Sequence, residues 1–126
     1  MGLIHTELEL SNPAEAGLSP MRVTALVDSG ANYMCVPEDV VSQLRLSKLG
    51  ERVVEIADGS VHTVDYVGPI IIRFENRVAS TGAMAMGDEV LLGAIPMQDL
   101  DVVLNLQDET IEVNPRSPNI ARGVAK

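Results

Sequence analysis

Aromatic residues are nearly absent from this chain, which has two tyrosines, one phenylalanine and no tryptophan. Hydrophobic residues still make up 46% of the 126 residues, so the core must be built from Val, Ile, Leu, Ala and Met. A chain of this length forms one domain and buries roughly two-thirds of its unfolded surface. Because valine is frequent and falls in short runs, the composition favours strands over helices.

Basic residues are also scarce, with nine Lys and Arg against eighteen Asp and Glu and a net charge of −9. No Lys/Arg cluster is present to neutralise phosphates, which argues against a nucleic-acid or anionic-membrane partner. The single cysteine, Cys35, excludes an internal disulfide and fits a reducing compartment, and we expect it to be a packed thiol. The first ten residues include Glu7 and Glu9 and no long apolar run. We therefore expect no signal peptide, no membrane span and a cytoplasmic location.

Short apolar runs separated by turn residues predict an all-β sandwich or barrel with one or two small helices. Residues 3–10 alternate between apolar and polar side chains, as in a strand with one wet face. Asp58-Gly59-Ser60 separates two Val-rich segments and predicts a hairpin, and Gly68-Pro69 predicts a bend. Strands are expected over residues 3–10, 21–28, 32–36, 52–57, 61–67, 70–74, 78–86, 90–93, 102–106 and 110–113. Helices are expected over residues 38–44 and 96–100.

Residues 1–115 are expected to form the single domain, followed by a tail over residues 116–126. The segment from Asn114 onward contains two prolines and little hydrophobic pattern. Such segments pack few side chains, so we expect this one to be extended and peripheral.

The stretch Ala25-Leu26-Val27-Asp28-Ser29-Gly30-Ala31 is the strongest candidate for chemistry. Its apolar part predicts a buried strand that carries a carboxylate into a small-residue turn, where an unpaired charge is costly. Ser29 can hydrogen-bond locally, and Gly30 lets another chain approach closely. Asp-Ser-Gly alone marks a strand end more often than an active site, so the tripeptide needs support from the rest of the chain.

Two further features follow this loop in a fixed order. The Asp58-Gly59 hairpin comes about thirty residues later, and Leu91-Leu92-Gly93 precedes a short helix. Together the three features resemble the retropepsin-like aspartic proteases, the family of the retroviral proteases and the half-size relatives of pepsin. The resemblance runs from about residue 23 to residue 115. Ser11-Asn12-Pro13 and the motif Val-Asn-Pro-Arg-Ser-Pro-Asn at 113–119 are similar to stand-alone bacterial members.

The resemblance implies an all-β, retropepsin-like closed barrel or sandwich that is active as a homodimer. Asp28 would be the catalytic aspartate, and Ser29 would hydrogen-bond across to the partner subunit beneath the active site. Gly30 would offer its backbone to the substrate. The resemblance also implies three groups of supporting residues: Ala31 and Asn32 in the loop and at the substrate; Asp58, Gly59, Ser60 and Val61 at the tip of a flap over the substrate; and Leu91, Leu92 and Gly93 packed behind the loop.

Peptide hydrolysis by this route needs two carboxyl groups, one ionised to take a proton from water and one protonated to donate to the carbonyl. Two carboxyls held about 3 Å apart cannot both ionise easily, so in aspartic proteases they share a proton. The chain has one Asp-Ser-Gly, so a second copy must supply the other Asp28. We expect a homodimeric aspartic endopeptidase that cleaves extended polypeptides beside hydrophobic residues. It needs no metal or cofactor, since His5 and His62 lack ligand spacing.

Two positions differ from the retroviral pattern. Asn32 stands where those proteases have an acidic residue, and Ala94 stands where an arginine follows the later glycine. Their Asp–Arg pair therefore cannot form in this chain. An alternative stays open, namely a retropepsin-like dimer with little turnover that serves as a peptide-binding or assembly module. A third hypothesis is a monomeric β-barrel that binds a small ligand.

Overall fold

The computed structural model describes residues 3–125, which contain nine strands and two short helices. The strands are β1 (Ile4–Ser11), β2 (Met21–Val27), β3 (Cys35–Val36), β4 (Ser47–Glu55), β5 (Val61–Phe74), β6 (Arg77–Ala85), β7 (Val90–Leu92), β8 (Val102–Asn105) and β9 (Thr110–Val113). The helices are α1 (Glu38–Gln43) and α2 (Ala94–Leu100). In this part of the chain neither helix is long and apolar enough to cross a bilayer.

Six strands close into a barrel, in the order β1-β2-β7-β3-β6-β5 and back to β1. The closing pairs include Glu9 with Arg73 and Ser11 with Ile71. β2 runs parallel to β7 and β3 runs parallel to β6, whereas the other barrel neighbours are antiparallel. Closure pairs the edges that an open sheet would leave free. The predicted all-β closed barrel with two short helices is thus confirmed.

The core of the barrel is aliphatic, as the scarcity of aromatic residues requires. In β1 the buried residues alternate with exposed or half-buried ones, as the sequence pattern predicts. The largest fully buried hydrophobic side chains are Leu8, Leu10, Met34, Leu44, Ile70, Ile72, Leu92, Leu100 and Val36. Burial of one face fixes the register of each strand, because a one-residue slip would turn these side chains to water.

The β4–β5 hairpin extends from the barrel as a two-stranded arm. Its ladder runs from Ser47 paired with Gly68 to Glu55 paired with Val61. The sequence predicted a bend at Gly68-Pro69 between two separate strands, but a single strand, β5, continues through it from the arm into the barrel. The register of β5 against β6 shifts between Val67 and Ile70, and such an irregularity tolerates a proline that has no N–H to donate.

The C-terminal segment is held against the domain more firmly than a peripheral tail. Ser117 is 4% exposed, and its carbonyl accepts a hydrogen bond from Arg77 Nη2 at 2.5 Å. Asn76 Nδ2 donates to the Pro118 carbonyl at 2.9 Å. The segment differs from the expectation because the Ser117 carbonyl accepts a hydrogen bond from a buried guanidinium, which the prolines of the sequence do not reveal. The domain boundary at residue 115 stays a prediction.

Candidate active site

Asp28 directly follows β2, and its partly buried carboxylate lines a cavity. Its N–H donates to the Leu92 carbonyl of β7 at 3.0 Å, which continues the parallel ladder to the end of the strand. Asp28 Oδ1 accepts the Gly30 N–H at 2.9 Å and so closes an Asx turn. This is the one hydrogen bond to the carboxylate within residues 3–125. The turn therefore sets the direction of the carboxylate and leaves Oδ2 without a hydrogen-bond donor from residues 3–125.

The end of β7 passes directly behind the Asp28 loop. A Cβ atom at Gly93 would lie 2.3 Å from the Tyr33 carbonyl oxygen and 2.8 Å from the Ala31 carbonyl oxygen. Backbone atoms cannot move aside as a flexible side chain can, so the close approach excludes every residue except glycine. Leu92 beside it is fully buried in the core. The structure therefore brings Leu91-Leu92-Gly93 against the loop, and the supporting role of these residues stays a prediction.

Helix α2 is joined to the same loop through its first backbone groups. The Ala94 N–H donates to the Ala31 carbonyl at 2.8 Å, and the Ile95 N–H donates to the Asn32 carbonyl at 2.9 Å. The first N–H groups of a helix have no partner inside it, so the loop carbonyls satisfy them. This explains why α2 begins at Ala94 and not at Pro96, where the sequence predicted its start.

Ser29 is exposed at the tip of the loop. Its hydroxyl has no hydrogen-bond partner in the described part of this chain, from residue 3 to residue 125. Asn32 is also exposed and lines the cavity. Both side chains are thus available to groups outside the chain.

The tip of the β4–β5 hairpin is a turn closed by side-chain hydrogen bonds. Asp58 Oδ1 accepts the Ser60 N–H at 2.8 Å and the Ser60 hydroxyl at 2.6 Å. These two bonds, the hydroxyl first, hold the pKa of Asp58 below its usual value. Ser60 Oγ also lies 2.9 Å from His62 Nε2, which must donate because the hydroxyl hydrogen already goes to Asp58. Gly59 takes the positive φ of 86° that the turn requires.

The Asp28 loop and β4 border a cavity of about 700 Å³ that is open to solvent on one side. Five of the residues singled out from the sequence line this cavity: Asp28, Gly30, Ala31, Asn32 and Leu91. The other seven do not line it: Ser29, Asp58, Gly59, Ser60, Val61, Leu92 and Gly93. The remainder of the wall comes from residues that the sequence did not single out: Tyr33, Cys35, Val53, Val54, Glu55, Ile56, Ala57, Met84 and Met86.

The additional wall residues differ in how far the sequence pointed to them. Residues 53–57 are the end of β4 and the two residues that follow it, directly before Asp58-Gly59. The hairpin predicted from Asp58-Gly59 therefore pointed to the part of the wall that faces the Asp28 loop. Tyr33 is one of only three aromatic residues, and this rarity is a signal that the sequence offers. In the structure its side chain is 44% exposed, which is unusual for a large aromatic residue. Met84 and Met86 reach the cavity only through the pairing of β6 with β3, for which no local signal exists.

Cys35 lies in the cavity wall as a free, half-buried thiol. Burial raises its pKa above the ordinary value of 9.0, so the group stays protonated near neutral pH. A protonated thiol is a poor nucleophile, in line with the packed role expected for it. Within residues 3–125 no group of three or more His, Cys, Asp or Glu side chains is arranged to hold a metal ion.

Known proteins resemble the chain in structure and not detectably in sequence. No family model matches it, and no curated protein matches it. The protease of EIAV, solved in complex with the inhibitor HBY-793, superposes with a TM-score of 0.61 and 16% identity, over 82% of this chain and 93% of the viral chain. The retroviral protease-like domain of Ddi1 from Leishmania major gives a TM-score of 0.58 and 10% identity, over 91% and 90% of the two chains. The closed barrel, the Asp28 loop and these two similarities together show that the chain has the retropepsin-like fold.

Proposed function

We propose that two copies of this chain form an aspartic endopeptidase, with one Asp28 from each subunit in its catalytic pair. One observation carries the proposal: the Asp28 carboxylate ends an apolar barrel strand and accepts a single hydrogen bond within residues 3–125. It lines the cavity between its own loop and the β4–β5 hairpin. The fold is shared with a viral protease that was solved with an inhibitor bound.

Exposed apolar residues beside the Asp28 loop support the pairing of two copies. Leu3 is 69% exposed and precedes Ile4, which pairs with Val27, so Leu3 lies near Asp28. Ile95 is 48% exposed, and its N–H is bonded to the loop. A second copy that covered these side chains would gain hydrophobic stabilisation and bring its own Asp28 to the first. The exposed Ser29 hydroxyl is then available to hydrogen-bond across the interface.

Each Asp28 takes a different role in the proposed reaction. The ionised carboxylate accepts a proton from a water molecule, whose oxygen attacks the carbonyl carbon of the scissile bond. The protonated partner donates its proton to the carbonyl oxygen, giving a tetrahedral intermediate with two hydroxyl groups. When the C–N bond breaks, the first carboxyl gives its proton to the amine nitrogen. The second takes a proton from one of the two hydroxyl groups, whose oxygen becomes the carbonyl oxygen of the product acid. Two nearby carboxyls that share one proton match this cycle, so activity is expected to peak at mildly acidic pH.

The cavity suits an extended peptide with apolar side chains. Most of its wall is Val, Ile, Leu, Ala and Met, and the hairpin offers backbone groups to which a bound peptide can add as a strand. Closure of the hairpin over the peptide would exclude water from the reacting groups. We expect this activity in the cytoplasm, because a single cysteine fits a reducing compartment.

The deciding experiment is cleavage of a peptide library and of a denatured protein at a series of enzyme concentrations. The parent should show specific activity that rises with concentration until the dimer is fully formed. Asp28→Asn should reduce cleavage by about a thousandfold or more, because it removes the ionisable group from both sides of the pair. Its melting temperature should stay within about 2 °C of the parent, since the amide still accepts the Gly30 N–H.

The matched control is Asp88→Asn, which removes one negative charge from an exposed turn residue outside the cavity. It should cleave at the parental rate. Equal cleavage by Asp28→Asn and the parent would remove the basis of the assignment. Specific activity that is constant down to concentrations at which the protein sediments as a monomer would also contradict it.

The alternative is a dimeric peptide-binding module with little turnover. Asn32 and Ala94 leave it open, because the loop is joined to α2 by backbone hydrogen bonds and the charged pair of the retroviral proteases cannot form. Binding of a pepstatin-like inhibitor measured beside turnover separates the two functions. Tight binding without cleavage, at every pH between 4 and 7, would favour the module.

A further inference from the structure

Arg52 differs from the other cations on the body of the domain. Within residues 3–115 the remaining Lys and Arg side chains each have a carboxylate oxygen within 4.0 Å: Arg22, Arg45, Lys48, Arg73 and Arg77. Arg52 has no such partner in the described chain, although acidic residues outnumber basic ones two to one. Arg116 and Arg122 of the C-terminal segment also have no carboxylate within 4.0 Å, so the contrast holds for the barrel and the β4–β5 hairpin, where Arg52 alone lacks one within residues 3–115.

Two aromatic rings hold the Arg52 guanidinium in place of a carboxylate. Its Cζ atom lies 4.1 Å from the centroid of the Tyr66 ring and 5.7 Å from that of Tyr33. Stacking of this kind stabilises the cation through the face of the ring and leaves the in-plane N–H donors free. Tyr66 itself is closely packed, because a Cβ atom at Gly82 would lie 2.3 Å from its Cζ atom. The cation is therefore positioned by two of the three aromatic residues in the chain.

This guanidinium lies just outside one end of the cavity, and Arg52 is not one of the wall residues. Tyr33 is part of the cavity wall, and Arg52 directly precedes the wall residues 53–57. Arg52 pairs with Val64, three positions along β4 from the last pair of the hairpin, Glu55 with Val61. Three strand residues span about 10 Å, so Arg52 is well removed from the hairpin tip. The cavity wall has two carboxylates: Glu55, which lies three residues further along β4, and Asp28, which follows β2.

We propose that Arg52 is a specificity residue that binds a carboxylate of the peptide at this end of the cavity. The inference rests on the proposed function, since it assigns a substrate preference to the same cleft. A planar guanidinium with free in-plane donors matches a carboxylate in a two-point arrangement. Elsewhere in the cleft an acidic side chain would face Asp28 or Glu55 and be repelled. The preferred peptide therefore has apolar residues at the scissile bond and one carboxylate at a fixed distance from it.

Two sources supply such a carboxylate, an Asp or Glu side chain and the C-terminal carboxylate of the peptide. Octapeptides with an apolar central pair distinguish them. In the first set a single residue is Glu or Gln at each flanking position in turn, and the C-terminus is amidated. In the second set no acidic side chain is present, and the C-terminus is either a free acid or an amide.

Binding of fluorescein-labelled octapeptides to full-length Asp28→Asn protein tests the proposal without turnover. At one position, or at the C-terminus, the carboxylate peptide should bind about tenfold more tightly than its amide counterpart. The preference should shrink as salt rises from 50 to 500 mM. Arg52→Gln in the same background should reduce the ratio to about one and leave the affinity for the Gln peptides unchanged. Arg52→Lys keeps the charge but not the planar fork and should retain a smaller preference.

The control is Lys48→Gln, which removes a cation of the same strand that is already paired with Glu51 and Asp65. It should leave the tenfold ratio intact. Equal affinity for acid and amide peptides throughout both sets would overturn the proposal, as would a preference that survives Arg52→Gln. If the parent cleaves no peptide but the binding preference depends on Arg52, the peptidase proposal fails and the carboxylate site stands. If the parent cleaves without any acidic preference, the carboxylate site fails and the peptidase stands.

Discussion

Two aspartates of this chain, Asp28 and Asp101, follow apolar segments and end up in opposite circumstances. Asp28 ends strand β2 and accepts one hydrogen bond, from the Gly30 N–H, within residues 3–125. Asp101 follows helix α2, and its carboxylate accepts four: from Asn114 Nδ2, Ser117 Oγ, the Arg122 N–H and Arg77 Nη2. One carboxylate is left available at a cavity and the other is saturated by its own chain.

The saturation of Asp101 explains the C-terminal motif at residues 113–119. Asn114 donates to Asp101 Oδ1 at 2.9 Å, and the Ser117 hydroxyl donates to Oδ2 at 2.5 Å. The Ser117 hydroxyl, the Arg122 N–H and the Asn114 amide, with the nearby Arg77 charge, bring the pKa of Asp101 from 3.8 down to about 2. The carboxylate thus joins the C-terminal segment to the barrel. Its role is structural.

The donors around a carboxylate indicate its role. A carboxylate that already has four donors does not take up a proton easily during a reaction, because each donor favours the ionised form. A group with one donor and an open cavity can exchange protons with water or with a second carboxyl. Asp28 and Asp101 should therefore respond differently to mutation: activity depends on the first, and stability depends on the second.

The largest effect on stability is expected from Arg77→Met. The Arg77 side chain is fully buried and donates to the Asp101 backbone carbonyl at 3.2 Å, to its carboxylate at 3.4 Å and to the Ser117 carbonyl. Methionine fills much of the space but supplies no donor, so the free energy of unfolding should fall by about 3 kcal/mol. Urea denaturation at fixed protein concentration measures the change.

Arg73→Met is the matched control for this variant. Arg73 is on the preceding strand of the same hairpin, and its exposed side chain lies 3.9 Å from Glu9. An exposed pair of this kind contributes about 0–1 kcal/mol, so the variant should unfold almost as the parent does. Equal destabilisation by the two substitutions would show that Asp101 and Arg77 do not anchor the segment.

The next effect is a loss of stability in acid. The pKa of Asp101 is lower in the folded protein, at about 2, than its ordinary value of 3.8. The unfolded chain therefore takes up the proton first as the pH falls. The stability that Asp101 contributes is complete above about pH 4 and is lost as the pH falls from 4 towards 2. The midpoint of urea unfolding should decline over this interval.

Asp101→Asn should flatten this decline, because the group that titrates is gone. It should also be less stable than the parent at pH 7. Asp88→Asn removes one charge from an exposed turn and controls for net charge. A decline between pH 4 and pH 2 that is as steep in Asp101→Asn as in the parent would assign the acid sensitivity to other groups.

The smallest effect is expected from Ser117→Ala, which removes one of the four donors to the Asp101 carboxylate. A single hydrogen bond of this kind contributes about 1 kcal/mol, and three donors stay in place. Limited proteolysis should cut the variant faster after residue 117 than it cuts the parent, since the segment opens more often. Ser80→Ala, at an exposed position of β6, serves as the control and should be cut at the parental rate.

Local chemistry accounts for the parts of the fold that the sequence predicted. The alternation of residues 3–10 predicted which side chains of β1 are buried, and the Asp58-Gly59 pair predicted the β4–β5 hairpin. The passage of β5 through Gly68-Pro69 was not predicted, because the partners that continue the ladder there lie on β6. The stacking of Arg52 on Tyr66 and Tyr33 was missed for the same reason, since the three side chains come from separate segments.

The sequence by itself determined the all-β class, the hairpin and the one small-residue loop that presents a carboxylate after an apolar strand. These follow from alternation, turn chemistry and the cost of burying charge, which act over a few residues. Only the tertiary structure decided which carboxylate is left available. Asp28 and Asp101 differ in the donors around them, and the donors of Asp101 come from residues 77, 114, 117 and 122. Neighbours of that kind are set by barrel closure and by the return of the C-terminal segment, and no local pattern encodes them.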